Sequence, residues 1–174
     1  FGQLLSTRPD IIPPDIVLEL VKLQDHVSPF PVATALAVIE EDLGLTVARA
    51  FESFDPEPMA AASIGQVHAA VLPGGQEVVV KVQRPEAARQ IRKDIDLLVQ
   101  FAHILEGRLD LGFSMIDVVQ EFSRSISREL DYILEVRNAE RLGVNFAGDE
   151  RVRVPRVYRR YCSKRVLTLE RISG

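Results

Sequence analysis

Two hydrophobic periods alternate along this chain, and the places where the period changes divide it into elements. In residues 13–29, apolar side chains at Val17, Leu20, Val21 and Leu23 follow two prolines and precede Pro29 and Pro31, which predicts a helix. A second helix is predicted on the stripe Val32, Leu36, Ile39 and Leu43, closed by Gly44 as its C-terminal cap. The stretch Phe54-Asp55-Pro56-Glu57-Pro58 reads as a linker, because each proline favours extended backbone at the residue before it. From Met59 to about Leu72 the chain is apolar over short range and rich in small residues. Pro73-Gly74-Gly75 then marks a turn, and residues 76–83 are rich in β-branched valine, so a β-hairpin is predicted.

After Pro85 the helical period returns. Ile91, Ile95, Leu98, Ala102 and Leu105 form one apolar seam, which Gly107 to Gly112 interrupts. Ser114 then resembles an N-cap, with Asp117 three residues later. A single long helix to about Leu142 is predicted behind it, striped by Val119, Phe122, Ile126 and Ile133. Arg151 to Glu170 reads as two strands. The order is helices, hairpin, two helices, two strands, an α+β arrangement.

Composition removes several functional classes. A net charge of −4 over 174 residues offers no concentrated positive field for nucleic acid. The late basic run (Arg151, Arg153, Arg156, Arg159, Arg160, Lys164 and Arg165) reads as a solvated strand edge. Cys162 is the only cysteine, which excludes a disulfide framework and fits a reducing compartment. His26, His68 and His103 have no cysteine or second histidine at ligand spacing, so no zinc or iron site is expected. No apolar run approaches the roughly 20 residues that span a bilayer, and no signal peptide is seen. The chain opens on Phe1 rather than methionine and stops at Gly174 after a strand-like run, which reads as a piece of a longer protein.

Lys81 carries the first chemical question. Period-two alternation puts Val78, Val80 and Val82 on one face of its strand, and Val79, Lys81 and Gln83 on the other. The valine trio suits a core, so Lys81 faces either solvent or a polar cleft, because an unpaired buried ammonium is costly. The second question is raised by Asp131 and Glu135, an i,i+4 pair of like charge if the helix is continuous. Arg128 could neutralise them, as could Lys81 or a bound metal. Glu129 lies about 200° from Asp131 on an ideal helix and reaches the same spot only if the helix is distorted.

Together, a small-residue loop (Ala60-Ala61-Ala62-Ser63-Ile64-Gly65), a strand lysine and a later helical carboxylate have the makings of a phosphate cradle. The pattern resembles the UbiB/ADCK (aarF-domain) family of atypical protein-kinase-like proteins. "FGQLLSTRPDIIP" at 1–13 resembles the end of that family's K-x-G-Q motif. "PMAAASIGQVHAAV" at 58–71 resembles its alanine-rich loop, and "VVVKVQRP" at 78–85 its nucleotide-lysine strand. "ELDYILEVRNAER" at 129–141 resembles its E-x-D helix, and "VLTLERISG" at 166–174 the strand entering the hinge.

The resemblance implies a protein-kinase-like N-lobe over residues 56–174, an antiparallel sheet with a helix C, preceded by a helical extension over 1–55. It implies that Ala60, Ala61, Ala62 and Ser63 lie over nucleotide phosphates, with Ile64, Gly65, Gln66 and Val67 beside them. Lys81 would contact the phosphates and pair with Glu135, as in the lysine–glutamate pair of protein kinases. Glu129 and Asp131 would be the E-x-D pair, approached by the K-x-G-Q segment of which Gly2 and Gln3 remain, its lysine falling before Phe1. Glu170 and Ile172 would offer hinge backbone to adenine. The implied cofactor is ATP, with Mg2+ held by C-lobe residues that this chain does not contain, and the chain alone is expected to be inactive. The longer protein is expected to be an atypical kinase or ATPase in isoprenoid-quinone or lipid metabolism, cytoplasmic and peripheral to or anchored in the inner membrane. Its expected partners are membrane lipid or quinone-biosynthesis proteins. The alternative is a nucleotide-sensing scaffold that binds lipid or a partner through the apolar faces at Val17 to Leu23 and Val32 to Leu43. Alanine methyls restrict backbone freedom that glycine would allow, so a stiffer phosphate loop is expected.

Overall fold

The computed structural model describes residues 28–106 and 114–172. Helix α1 (Val32–Leu43) ends where expected: Gly44 takes a left-handed φ of 64° and its N–H donates to the Glu40 carbonyl. A short turn of helix, α2 (Val47–Ala50), leads into the sheet. The strands are β1 (Ser53–Phe54), β2 (Ala60–Ala61), β3 (Gly65–Val71), β4 (Glu77–Gln83) and β5 (Val166–Glu170). All pairings are antiparallel, in the order β1-β3-β4-β5, with β2 pairing β3 beyond β1. The predicted hairpin is β3–β4, turned through Gly75 at φ 77°. The predicted linker is partly strand. Phe54 pairs with Ala70 in β1 and stacks on His68 at 4.8 Å, so the prolines act only after it.

Alternation sorts the sheet into two faces. Val78, Val80 and Val82 are fully buried and meet Ala35, Val38 and Ile39 of α1. Of the predicted stripe, Ile39 is core and Leu43 packs against that cluster, while Val32 and Leu36 are only half-buried. The same cluster joins α1 to β4 and β5 across residue 55. Outside the cluster, Arg165 beside β5 bonds Asp42 of α1 through Nε at 3.0 Å, and Ser163 Oγ donates to the other carboxylate oxygen at 2.6 Å. Burial raises the Asp42 pKa, but the bonds from Arg165 and Ser163 outweigh it and hold the carboxyl below its ordinary value.

Helix α3 (Ala87–Glu106) packs on α4 (Met115–Glu129), and Ala102 of the predicted seam is buried. Glu106 accepts from Ser114 Oγ at 2.8 Å, and Ser114 caps α4 by accepting from the Asp117 N–H. The single long helix does not form. It breaks at Leu130, and α5 (Tyr132–Asn145) starts afresh with Asp131 as its N-cap, the carboxylate accepting from the Ile133 N–H at 3.0 Å. Aspartate competes for backbone N–H groups in this way, which apolar spacing does not register.

The last region also differs from expectation. Only β5 is a strand there; the segment before it touches β5 by one bridge, Val157 to Leu169, and a short 3-10 turn (Arg159–Tyr161) follows. The basic run is not simply solvated. Arg151, Arg153, Arg159 and Arg165 bond Asp149, Glu170, Glu140 and Asp42 respectively. The helix expected over 13–29, its Val17 to Leu23 face, Gly2 and Gln3 lie outside the described residues, as does the interruption at 107–112. No helix among the described residues is long and apolar enough to cross a membrane.

Candidate functional site

The face of the sheet opposite α1 carries the site. Register aligns Val67, Lys81 and Leu167 across β3, β4 and β5 on this face. Helix α5 covers it, and Tyr132, Val136 and Leu167 form a small buried cluster there. Lys81 Nζ lies 2.8 Å from Glu135 Oε2, on the first turn of α5. The side chains are 32% and 45% exposed, so the pair stands at the rim of the core and not within it.

The alanine loop lies next to Lys81. Ala60 and Ala61 pair with Val67 and Gln66, and the Ala62 N–H donates back to the Gly65 carbonyl at 2.7 Å, making a tight turn. The three alanines, Ile64, Gly65, Val67 and Lys81 enclose about 70 Å3. The loop is braced by Arg84, whose N–H donates to the Ile64 carbonyl at 2.9 Å and whose Nε reaches the Ala62 carbonyl at 3.5 Å. Arg84 was not singled out by the sequence pattern; its position just after the lysine strand is the only signal of it.

The site residues named from the sequence therefore fall into groups. The structure brings together Ala60, Ala61, Ala62, Ile64, Gly65, Val67 and Lys81, with Glu135 across the lysine. Ser63 is exposed and is not among the residues that line the loop cavity. Gln66 is on the wrong face. It is 1% exposed on the α1 side, where it accepts from the Phe30 N–H at 3.0 Å and contacts His68 at 2.9 Å. Alternation requires this: Gln66 pairs with core-facing Val82, whereas Val67 pairs with Lys81.

The break before α5 sets Asp131 apart from Glu129 and Glu135, which share one cavity. Glu129 lines a second cavity of about 740 Å3 with Lys81, Glu135 and Arg141, while the Asp131 carboxylate is engaged as a cap. The continuous i,i+4 pair of Asp131 and Glu135 is thus replaced by a capped helix start. At the end of β5, the Glu170 carboxylate bonds Arg153 at 2.6 Å, and the Glu170 N–H donates to the Arg156 carbonyl at 2.8 Å. That N–H is occupied. Ile172 is half-buried at the end of the described residues.

Sequence reasoning missed Tyr132 as an individual. It is fully buried, its ring centroid lies 4.7 Å from Lys81 Nζ, and its hydroxyl has no hydrogen-bond partner. Burial pushes its phenol pKa well up, and the charges of Glu135 and Glu129 push the same way.

A five-stranded antiparallel sheet, a lysine in its β4 strand and a covering helix that carries the partner glutamate define a kinase-like lobe. The sequence profile of the ABC1 atypical kinase-like domain matches residues 22–174, and the chain belongs to that family. It is 46% identical over 176 aligned residues to the "Probable protein kinase UbiB" of Azotobacter vinelandii, covering 100% of this chain and 33% of that protein. It is 44% identical to the "Uncharacterized protein slr1919" of Synechocystis, covering 99% of this chain and 31% of that protein. Among solved structures, the Rv3197–erythromycin complex from Mycobacterium tuberculosis aligns with a TM-score of 0.74 and 33% identity, over 99% of this chain and 44% of that one. The chain spans about a third of the length of these curated relatives.

Proposed function

We propose that the chain is the nucleotide-binding lobe of an ATP-using atypical kinase or ATPase. The observation that carries the reading is the Lys81–Glu135 bond of 2.8 Å beside the alanine loop. A lysine held by a glutamate on a covering helix is oriented before ligand arrives, so its ammonium is placed for phosphate oxygens without first losing rotamer freedom. Bound ATP would supply the transferable phosphoryl group, with Lys81 on its phosphates and the alanine loop above them. The loop contributes shape more than donors, since the Ala62 N–H is already bonded to Gly65.

Among the described residues, no group of three or more histidine, cysteine or carboxylate side chains is placed to hold a metal. The ligands of Mg2+ are proposed to include groups beyond the described residues. The role proposed for the whole protein, in isoprenoid-quinone metabolism at a membrane, rests on the resemblance of its motifs to the UbiB/ADCK family. The test is magnesium-dependent ATP hydrolysis by the full-length protein. Hydrolysis above the Lys81→Met background supports the enzyme reading. Hydrolysis no greater than that background, with ATP still bound, leaves a nucleotide-sensing scaffold as the function.

A further inference from the structure

Tyr132 occupies the one point where the helix, the lysine and the loop meet. As the first residue of α5 it sits one turn before Glu135. Its ring lies beneath the Lys81 ammonium at 4.7 Å. Its hydroxyl reaches the foot of the alanine loop: a Cβ built on Gly65 would stand 2.8 Å from the tyrosine oxygen and 2.6 Å from the Val82 carbonyl oxygen. The close approach exists only because position 65 is glycine.

Three hydrogen bonds brace the elbow that carries Tyr132. The Tyr132 N–H donates to the Lys164 carbonyl at 3.1 Å. Gln83, 2% exposed, donates to the Leu130 carbonyl at 3.0 Å, and Asp131 caps the Ile133 N–H. Strand β4, the turn before β5 and the helix cap all hold the elbow from which Tyr132 projects. Any displacement of α5 would move the surface under Lys81 and the contact at Gly65 together.

We infer that Tyr132 is a positioning residue that holds the Lys81 ammonium toward Glu135 and couples the placement of α5 to the foot of the alanine loop. The inference rests on the nucleotide reading for its functional consequence but not for its geometry. A ring face beneath an ammonium attracts it electrostatically, and this ring is shielded from water. The hydroxyl fills the space left by the missing Gly65 side chain.

The experiment substitutes position 132 in the full-length protein and titrates ATP by calorimetry. Tyr132→Leu weakens ATP binding about tenfold, whereas Tyr132→Phe, which keeps the ring, stays within about twofold of wild type. Val136→Ala alters a neighbour in the same buried cluster, an aliphatic side chain with no ring face to offer the lysine. It lowers the melting temperature and leaves affinity unchanged. Equal loss of affinity in Val136→Ala and Tyr132→Leu would reduce Tyr132 to packing and overturn the inference. Fluorinated phenylalanines at position 132 keep ring volume while withdrawing π density, so folding is retained. Affinity falls stepwise along that series; a flat series overturns the inference. If wild type and Lys81→Met bind ATP equally, the nucleotide reading has failed. The inference is then judged by the thermal double-mutant cycle of Lys81→Met with Glu135→Gln, whose coupling must shrink with fluorination.

Discussion

Lys81 and Glu135, 54 positions apart in the chain, meet at 2.8 Å over the ring of Tyr132, with the alanine loop on the lysine's other side. Because both partners are substantially exposed, the bond adds no more than about 1 kcal/mol to stability. Its consequence is orientation. Glu135→Gln is accordingly expected to leave the melting temperature within a few degrees of wild type while weakening ATP binding several-fold, about 1 kcal/mol, because Lys81 is no longer held. Thermal denaturation and ATP titration of the same variant check both halves.

Gly65→Ala is expected to be destabilising, by about 1–3 kcal/mol, since the added methyl would meet the Val82 carbonyl at 2.6 Å and the Tyr132 hydroxyl at 2.8 Å. Urea denaturation measures it. Gly75→Ala makes the contrast: nothing lies within 4 Å of its Cβ position, and its φ of 77° carries the whole cost.

Asp42→Ala is expected to cost about 1–3 kcal/mol, by leaving partly buried Arg165 with only exposed Glu41 as a carboxylate partner and Ser163 without its acceptor. The pH dependence has a definite sign. The folded Asp42 pKa lies below 3.8, so the pair's stability is fully present above that value and is lost as pH falls through the folded pKa. Denaturation midpoints below pH 4 in wild type and Asp42→Ala should converge.

His68 acts in a separate window. Burial lowers its pKa below 6.5 despite the opposing bond to the Asp55 carbonyl. Nδ1 donates to that carbonyl at 2.8 Å, and Nε2 accepts from the Gln66 amide at 2.9 Å, so the buried ring is neutral. The unfolded chain then binds the extra proton first, and stability falls as pH drops below 6.5, by at most about 1.4 kcal/mol per unit. A melting-temperature profile from pH 7 to 5 should be flatter in His68→Gln than in wild type.

These residues also show what could be read from the sequence. Gly44 as a cap, the turn at residues 73–75 and the outward side of Lys81 follow from local rules, and each is found. The break at Leu130 was not legible, because Asp131 interrupts an apolar stripe that continues on both sides of it. Gln66 was misplaced because its face depends on the β3–β4 register, which depends on contacts across the hairpin and not on the run of residues alone. Tyr132 escaped notice for a related reason. Its significance comes from Lys81 and Gly65, both distant in sequence, and nothing beside it in the chain signals either contact.

The central claim is that the alanine loop and the Lys81–Glu135 pair receive the phosphates of ATP. Its most direct test is calorimetric titration of ATP into the full-length protein and its Lys81→Met variant. Saturable binding by wild type, weakened at least about tenfold in Lys81→Met, is the predicted result. Equal affinity in the two proteins, or no binding by wild type, would contradict it.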